Sequence, residues 1–327
     1  MLEKLPKVIA STVVRSAYEG ESHGGVYIVD LETEEVEQVV DYDSTSIKWE
    51  GRGGPRGLRG IAFHADEVYL AASDEIFVYS KDFHFEGSIR NKYLEHCHET
   101  YQAGNTLYIT STGRDSILEY DLHTRWFVRG YYASYRGLVR YLNMRGYRGE
   151  RTFGAPIPRL RIYDPNGDEG PAHSNTFHLN SVFYENGVLF VAGTRCAHLL
   201  ALNDSKLSSY ALIPYGTHNT RPFGEGIIMN DTRKDRVTYL DRSGNAISLP
   251  IKHYDERELL YSHVPRDHAR QAFGRGLCDL GGGLIAGGSS PATVSVYDLN
   301  APRVLKTINL TMDVRNTIHG LEVWPFS

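Results

Sequence analysis

The 327-residue chain is poor in the features that most quickly place a protein. It has three cysteines, Cys97, Cys196 and Cys278, with no C-x-x-C pairing. An odd, scattered set offers no disulfide framework, so reduced thiols and a cytoplasmic location are expected. No apolar run approaches a membrane-spanning length, and the opening Met-Leu-Glu-Lys-Leu-Pro-Lys has no apolar signal core, which argues against a membrane partner. A basic excess is also missing: the formal charge is -5 and the pI is near 6.3. That balance argues against a general nucleic-acid binder. There is no G-x-S-x-G nucleophile motif. Asp164 to Gly170 resembles part of a calcium loop but lacks the spacing to a final Glu, and reads as a plain turn. Gly281-Gly282-Gly283 precedes no helix pattern, so it is a hairpin turn and not a phosphate loop.

Glycine and tyrosine are plentiful, 32 and 22 residues, which suits an all-β chain of aromatic strands and tight turns. A repeat runs through it. Arg59, His98, Asn180, His218 and Arg275 are each followed fourteen positions later by a hydroxyl residue: Ser73, Thr112, Thr194, Thr232 and Ser289. A sixth start, His319, has only eight residues after it. Its partner falls at the other end of the chain, in Val8-Ile9-Ala10-Ser11-Thr12. Each unit reads as four short strands. In the first, Arg59 to Phe63, Val68 to Ala72 and Ile76 to Tyr79 are separated by Ala65-Asp66 and Ser73-Asp74, with a weaker strand near Gly87 to Ile89.

Four strands in roughly 40 residues is the spacing of a propeller blade. The chain thus resembles the six-bladed β-propeller superfold over nearly its whole length, as a single domain, 1–327. Four-stranded blades are expected, with the N- and C-terminal strands sharing one blade to close the ring. The superfold carries no function of its own.

The spacings between column positions are 39, 82, 38, 57 and 44. The surplus falls at 131–177, at 252–274, at 43–58 and in the loop 16–25. Propeller topology puts all of these on the face where the innermost strands begin. A lid at 131–177 is therefore expected over a pocket. From Arg136 to Arg161 this insertion holds seven arginines against one acid, Glu150, interleaved with tyrosines, and Ser134 to Met144 has a helical pattern. Such a flap suits a small anionic molecule bearing carboxylate or phosphate.

The column turns six side chains toward one channel mouth. His98, His218 and His319 fall in alternate blades, a disposition suited to a divalent metal such as Fe, Mn or Zn. Arg59, Asn180 and Arg275 would bind substrate. Glu99, His96 and His178 are the candidate proton-transfer groups. This implies a metal-dependent lyase, isomerase, hydrolase or oxygenase. An anion pocket without metal, and a polar channel that merely binds a ligand or serves as a protein-interaction scaffold, remain open. The hydroxyl residues are expected to cap strand ends through backbone bonds.

Overall fold

The computed structural model describes residues 4–17, 20–43, 57–135, 156–203, 206–266 and 269–326. β1 (Lys7–Val14), β2 (Gly25–Asp30) and β3 (Val36–Asp41) open the chain. Blade 1 is β4 (Ile61–His64), β5 (Glu67–Ala72), β6 (Glu75–Ser80) and β7 (Phe85–Arg90). Blade 2 is β8 (Cys97–Ala103), β9 (Thr106–Ser111), β10 (Ser116–Asp121), β11 (Trp126–Ser134) and an added β12 (Arg159–Tyr163). Blade 3 is β13 (Leu179–Glu185), β14 (Val188–Gly193), β15 (His198–Asn203) and β16 (Lys206–Leu212). Blade 4 is β17 (Thr217–Phe223), β18 (Gly226–Asp231), β19 (Arg236–Asp241) and β20 (Ala246–Pro250). Blade 5 is β21 (Leu277–Gly281), β22 (Leu284–Ser289), β23 (Thr293–Asp298) and β24 (Arg303–Asn309). The last strand, β25 (Asn316–Val323), pairs antiparallel with β1 as the innermost strand of blade 6, with Val8 opposite Val323 and Val14 opposite Asn316. The described residues contain no helix, and so none that could cross a membrane.

Strand alternation is what closes the ring. Successive side chains of a strand point to opposite faces, so each central strand serves two blade interfaces. Val8 and Ala10 pack toward blade 5, while Ile9 between them packs toward blade 1. Leu107 and Ile109 face blade 1, and Tyr108 faces blade 3. Leu189 and Val191 face blade 2, and Phe190 and Ala192 face blade 4. Six apolar clusters result, one for each pair of neighbouring blades, including the pair that joins blade 6 to blade 1. Each fully buried Ile, Leu or Val contributes about 1.5–3 kcal/mol. The chain is a six-bladed β-propeller closed by a blade built from both terminal strands.

The expected lid starts differently from the sequence reading. Residues 131–134 continue β11, and β12 pairs with it from Gly130 opposite Tyr163 to Ser134 opposite Arg159, which makes blade 2 five-stranded. Beyond β12 the chain leans on blade 1. The Asn91 side chain donates to Pro165 O (3.1 Å), and the Tyr93 hydroxyl donates to Gly167 O (3.1 Å) while accepting from Gly170 N (2.8 Å). Asp164 to Gly170 is a turn whose Asn166 and Gly167 amides bond back to Asp164. The five arginines Arg136 to Arg151 and the helical pattern beyond Tyr135 lie outside the described residues; Ser134 itself ends a strand.

Candidate functional site at the channel mouth

Every column residue sits at an irregularity at the start of an innermost strand. In β8 the register with β9 jumps between Cys97 and Thr100, which frees His98 and Glu99 from the ladder. It jumps around Asn180 in β13, after His218 in β17, and around His319 in β25. In blades 1 and 5 the pattern is made by Arg59-Gly60 opposite Ala71 and Arg275-Gly276 opposite Gly288. An extra residue in one strand re-aims a side chain, and His98, Asn180 and His319 occupy such positions, whereas His218 stays paired with Asn230 and the extra residues there are Asn219 and Thr220. Gly60 is required by close approach: a Cβ there would stand 2.4 Å from Thr100 N of the next blade. At Gly320 a Cβ would stand 2.3 Å from Arg59 O.

The hydroxyl column latches blades together in the three histidine blades. Thr112 Oγ donates to Leu179 O of blade 3, Thr232 Oγ to Gly274 O before blade 5 (2.9 Å), and Ser11 Oγ to Arg59 O of blade 1. These bonds also fix proton positions. The Thr232 hydroxyl hydrogen is spent on Gly274 O, so His218 Nδ1, 2.8 Å from that oxygen, must donate to it. His98 Nδ1 donates to His96 O (2.7 Å) and toward Thr112 Oγ (3.0 Å). His178 Nδ1 donates to Asn175 Oδ1 (2.8 Å). In each ring the other nitrogen, Nε2, keeps a bare lone pair. His218 Nε2 is buried without a partner.

Two buried guanidiniums bring positive charge to the mouth. Arg59 and Arg275 are buried, and among the described residues neither has a carboxylate in ion-pair range. Arg59 donates one bond, Nη1 to Cys97 O (2.9 Å); Arg275 Nη1 stands 2.9 Å from His319 Nε2 and 3.1 Å from its Nδ1. The Nε of each arginine has no partner. Burial lowers the Arg59 guanidinium to about 10 and that of Arg275 well below its usual value, with neighbouring arginines adding to the second. Burial first, and these cations next, push His98, His218 and His319 well below 6.5 and His178 to about 3, so all four are neutral near pH 7.

His98 lies between two rings, 5.1 Å from His178 and 5.9 Å from His319. His218 lies against Phe273, ring centres 5.7 Å apart. The three column histidines are therefore not gathered as a ligand set, and no three His, Cys, Asp or Glu side chains among the described residues could hold a metal. Asn180 is turned to structural use, its Nδ2 donating to Thr217 O (3.4 Å) and its Oδ1 accepting from Ser181 Oγ (3.2 Å). Glu99 points along the axis below the column, bonded by Asn219 Nδ2 at 2.6 Å.

Two residues before the column, His96 and His178 take left-handed backbone conformations, φ 52° and 53°, as do Gly57 and Gly216 in their blades. Such non-glycine outliers store strain that surrounding structure must hold. Asp115 holds His178 in this way. It accepts from Ser174 Oγ (2.8 Å) and from the amides of Thr176, Phe177 and His178 (2.6, 3.0 and 2.9 Å). Two further mouth residues were not foreseen. The Phe273 ring has the guanidinium carbons of Arg15, Arg275 and Arg270 at 4.4, 4.9 and 5.1 Å from its centre. Phe273 was findable, because it stands two before Arg275, as His96 and His178 stand two before theirs. Arg15, in an interstrand loop, carries no repeat signal.

The chain folds as a six-bladed β-propeller in which buried arginines and histidines meet at the start of the innermost strands. No protein-family model matches the chain, and no curated protein matches it. Among solved structures, it is similar to the computationally designed Ika8 protein at a TM-score of 0.46 and 9% identity, over 93% of this chain and 89% of that one. It is similar to a putative 6-phosphogluconolactonase from Bacteroides fragilis at a TM-score of 0.51 and 9% identity, over 96% and 84% of the two chains. At that identity the likeness shows the fold alone.

Proposed function

We propose that the channel mouth binds a small molecule by its carboxylate or phosphate group and that the protein is an enzyme acting on it without a metal. The supporting observation is the pair Arg59 and Arg275, buried with no carboxylate partner and each with an unbonded Nε. An isolated buried charge is costly, and an anion between the two guanidiniums relieves the cost. The chemistry is base-assisted. Neutral His98 and His178, with Nε2 unprotonated and rings 5.1 Å apart, can take a proton from water or substrate. Arg59 and Arg275 would then stabilise the negative charge that develops. Hydrolysis is the favoured reaction type, and the Bacteroides protein of similar fold bears the name of an enzyme whose substrate carries phosphate. A cytoplasmic location agrees with three free, buried cysteines.

The test is a turnover screen of phosphorylated and carboxylated lactones and esters, with sulfate as competitor. Turnover inhibited by sulfate, lost in His178→Gln through kcat and in Arg59→Met through KM, is the expected result. Sulfate binding with no turnover of any member favours a non-catalytic anion binder. No anion binding overturns the reading.

A further inference from the structure

One residue further along the same inner strands, the axis holds a small cavity of about 20 Å³, lined by Glu99, Thr100, Asn219, Thr220, Arg221 and Glu322. That is room for about one water. Thr100 and Thr220 are each only 1% exposed, and both hydroxyl oxygens lack a partner. Two carboxyls and two hydroxyls without a protein partner thus line one small space. The groups facing the pair are few. Arg275 stands above and Arg221 beside it, with Asn219 bonded to Glu99. Tyr101 and Cys278, the remaining titratable neighbours, are both raised by burial and stay protonated near neutrality.

We propose that this cavity is a proton-binding site coupled to the mouth: an anion settling on Arg59 and Arg275 draws a proton from solvent onto the Glu99–Glu322 pair. The coupling rests on the anion reading above; the proton site itself does not. Its physical basis is positive charge beside the pair: Arg221, which lines the cavity, and then Arg275 both favour the charged form of Glu99. When an anion neutralises the Arg275 guanidinium, the carboxylate loses support and gains affinity for a proton. By linkage, protonating the pair strengthens anion binding by the same factor. The pair is poised for this: burial, and then Glu322, raise Glu99 to about 8, and burial raises Glu322 to about 7. A hard cation is the competing occupant, and the guanidiniums of Arg221 and Arg275 oppose it.

Two measurements test the site. Infrared spectra at pH 7 should contain a protonated-carboxyl stretch that disappears in Glu99→Gln/Glu322→Gln, a change that copies the protonated shape and so preserves the fold. Calorimetric titration with sulfate, in two buffers of different ionisation heat, should give uptake of up to one proton in the wild type and none in the double variant. Uptake unchanged in the variant assigns the proton to the mouth imidazoles and overturns the coupling. Absence of sulfate binding overturns the coupling together with the anion reading, while the infrared band still decides the proton site. A spectrum with no such band, or a band abolished by calcium, overturns the proton site.

Discussion

At the scale of single residues, the mouth sets stability against binding. Arg275 is buried beside His319 with no acid partner, so replacing it with an apolar side chain of similar reach removes a desolvated charge. Arg275→Met is expected to stabilise the anion-free protein by about 1–3 kcal/mol and to weaken sulfate binding more than tenfold. Denaturant unfolding and calorimetry check the two halves, and a loss of stability would show that the guanidinium is compensated. Asp115 has the opposite character. It satisfies three consecutive amides and one hydroxyl and so holds the left-handed His178 in place. Asp115→Ala strips the buried Phe177 amide and three partly buried donors of their acceptor and should cost about 2 kcal/mol. It should also shift the ¹⁵N resonances of His178 and spare those of His218.

At the scale of elements, the irregular starts of the inner strands matter more than the strands' regular parts. A perfect ladder would send alternate side chains into the two blade interfaces; the extra residue in β8, β13 and β25 takes His98, Asn180 and His319 out of that alternation. At His98 and His218 the hydroxyl fourteen residues on then locks both the imidazole and the next blade. Thr232→Val keeps the shape and removes the lock. It should destabilise by about 1–2 kcal/mol, and His218 should become a mixture of tautomers by ¹⁵N chemical shift. An unchanged tautomer would mean that packing against Phe273 orients the ring by itself. The repeat made the pairing of these residues visible, because a fixed spacing is a sequence property. The direct bond from hydroxyl to Nδ1 was not visible; backbone capping was the expectation, and the same oxygen does both. β12 was hidden for a different reason. It lies inside the insertion, where no repeat marks it, and its pairing with β11 is decided by a free sheet edge.

At the scale of the whole molecule, opposing titrations fix where the protein is most stable. The histidines are depressed in the folded state, so their contribution is full above 6.5 and is lost as pH falls below it. Glu99 and Glu322 are raised, so their contribution is full below 4.5 and is lost as pH rises toward 7 and 8. Four histidines outweigh two acids where the windows overlap, so stability should peak near pH 6.5 and fall on both sides. The Glu99→Gln/Glu322→Gln protein should lose the alkaline limb alone. Ring closure makes a second demand. Deleting β25 strips blade 6 of its inner strand and opens two interfaces at once. Circular dichroism of a chain ending at residue 315 should show no cooperative unfolding transition.

The six units, the shared blade and the polar column were determined by the sequence alone, because alternation, turn residues and a fourteen-residue spacing are local and repeat. The glycines after Arg59 and His319 likewise announced the crowding found there. What the tertiary structure decided concerns distances across the axis, between residues far apart in the chain. It set Arg275 against His319. It turned Glu99 away from the mouth toward Glu322, and it ringed Phe273 with guanidiniums. Residue types at equal positions fix which side chains reach the channel; which of them meet there depends on bulge geometry and neighbouring charge, which no spacing encodes.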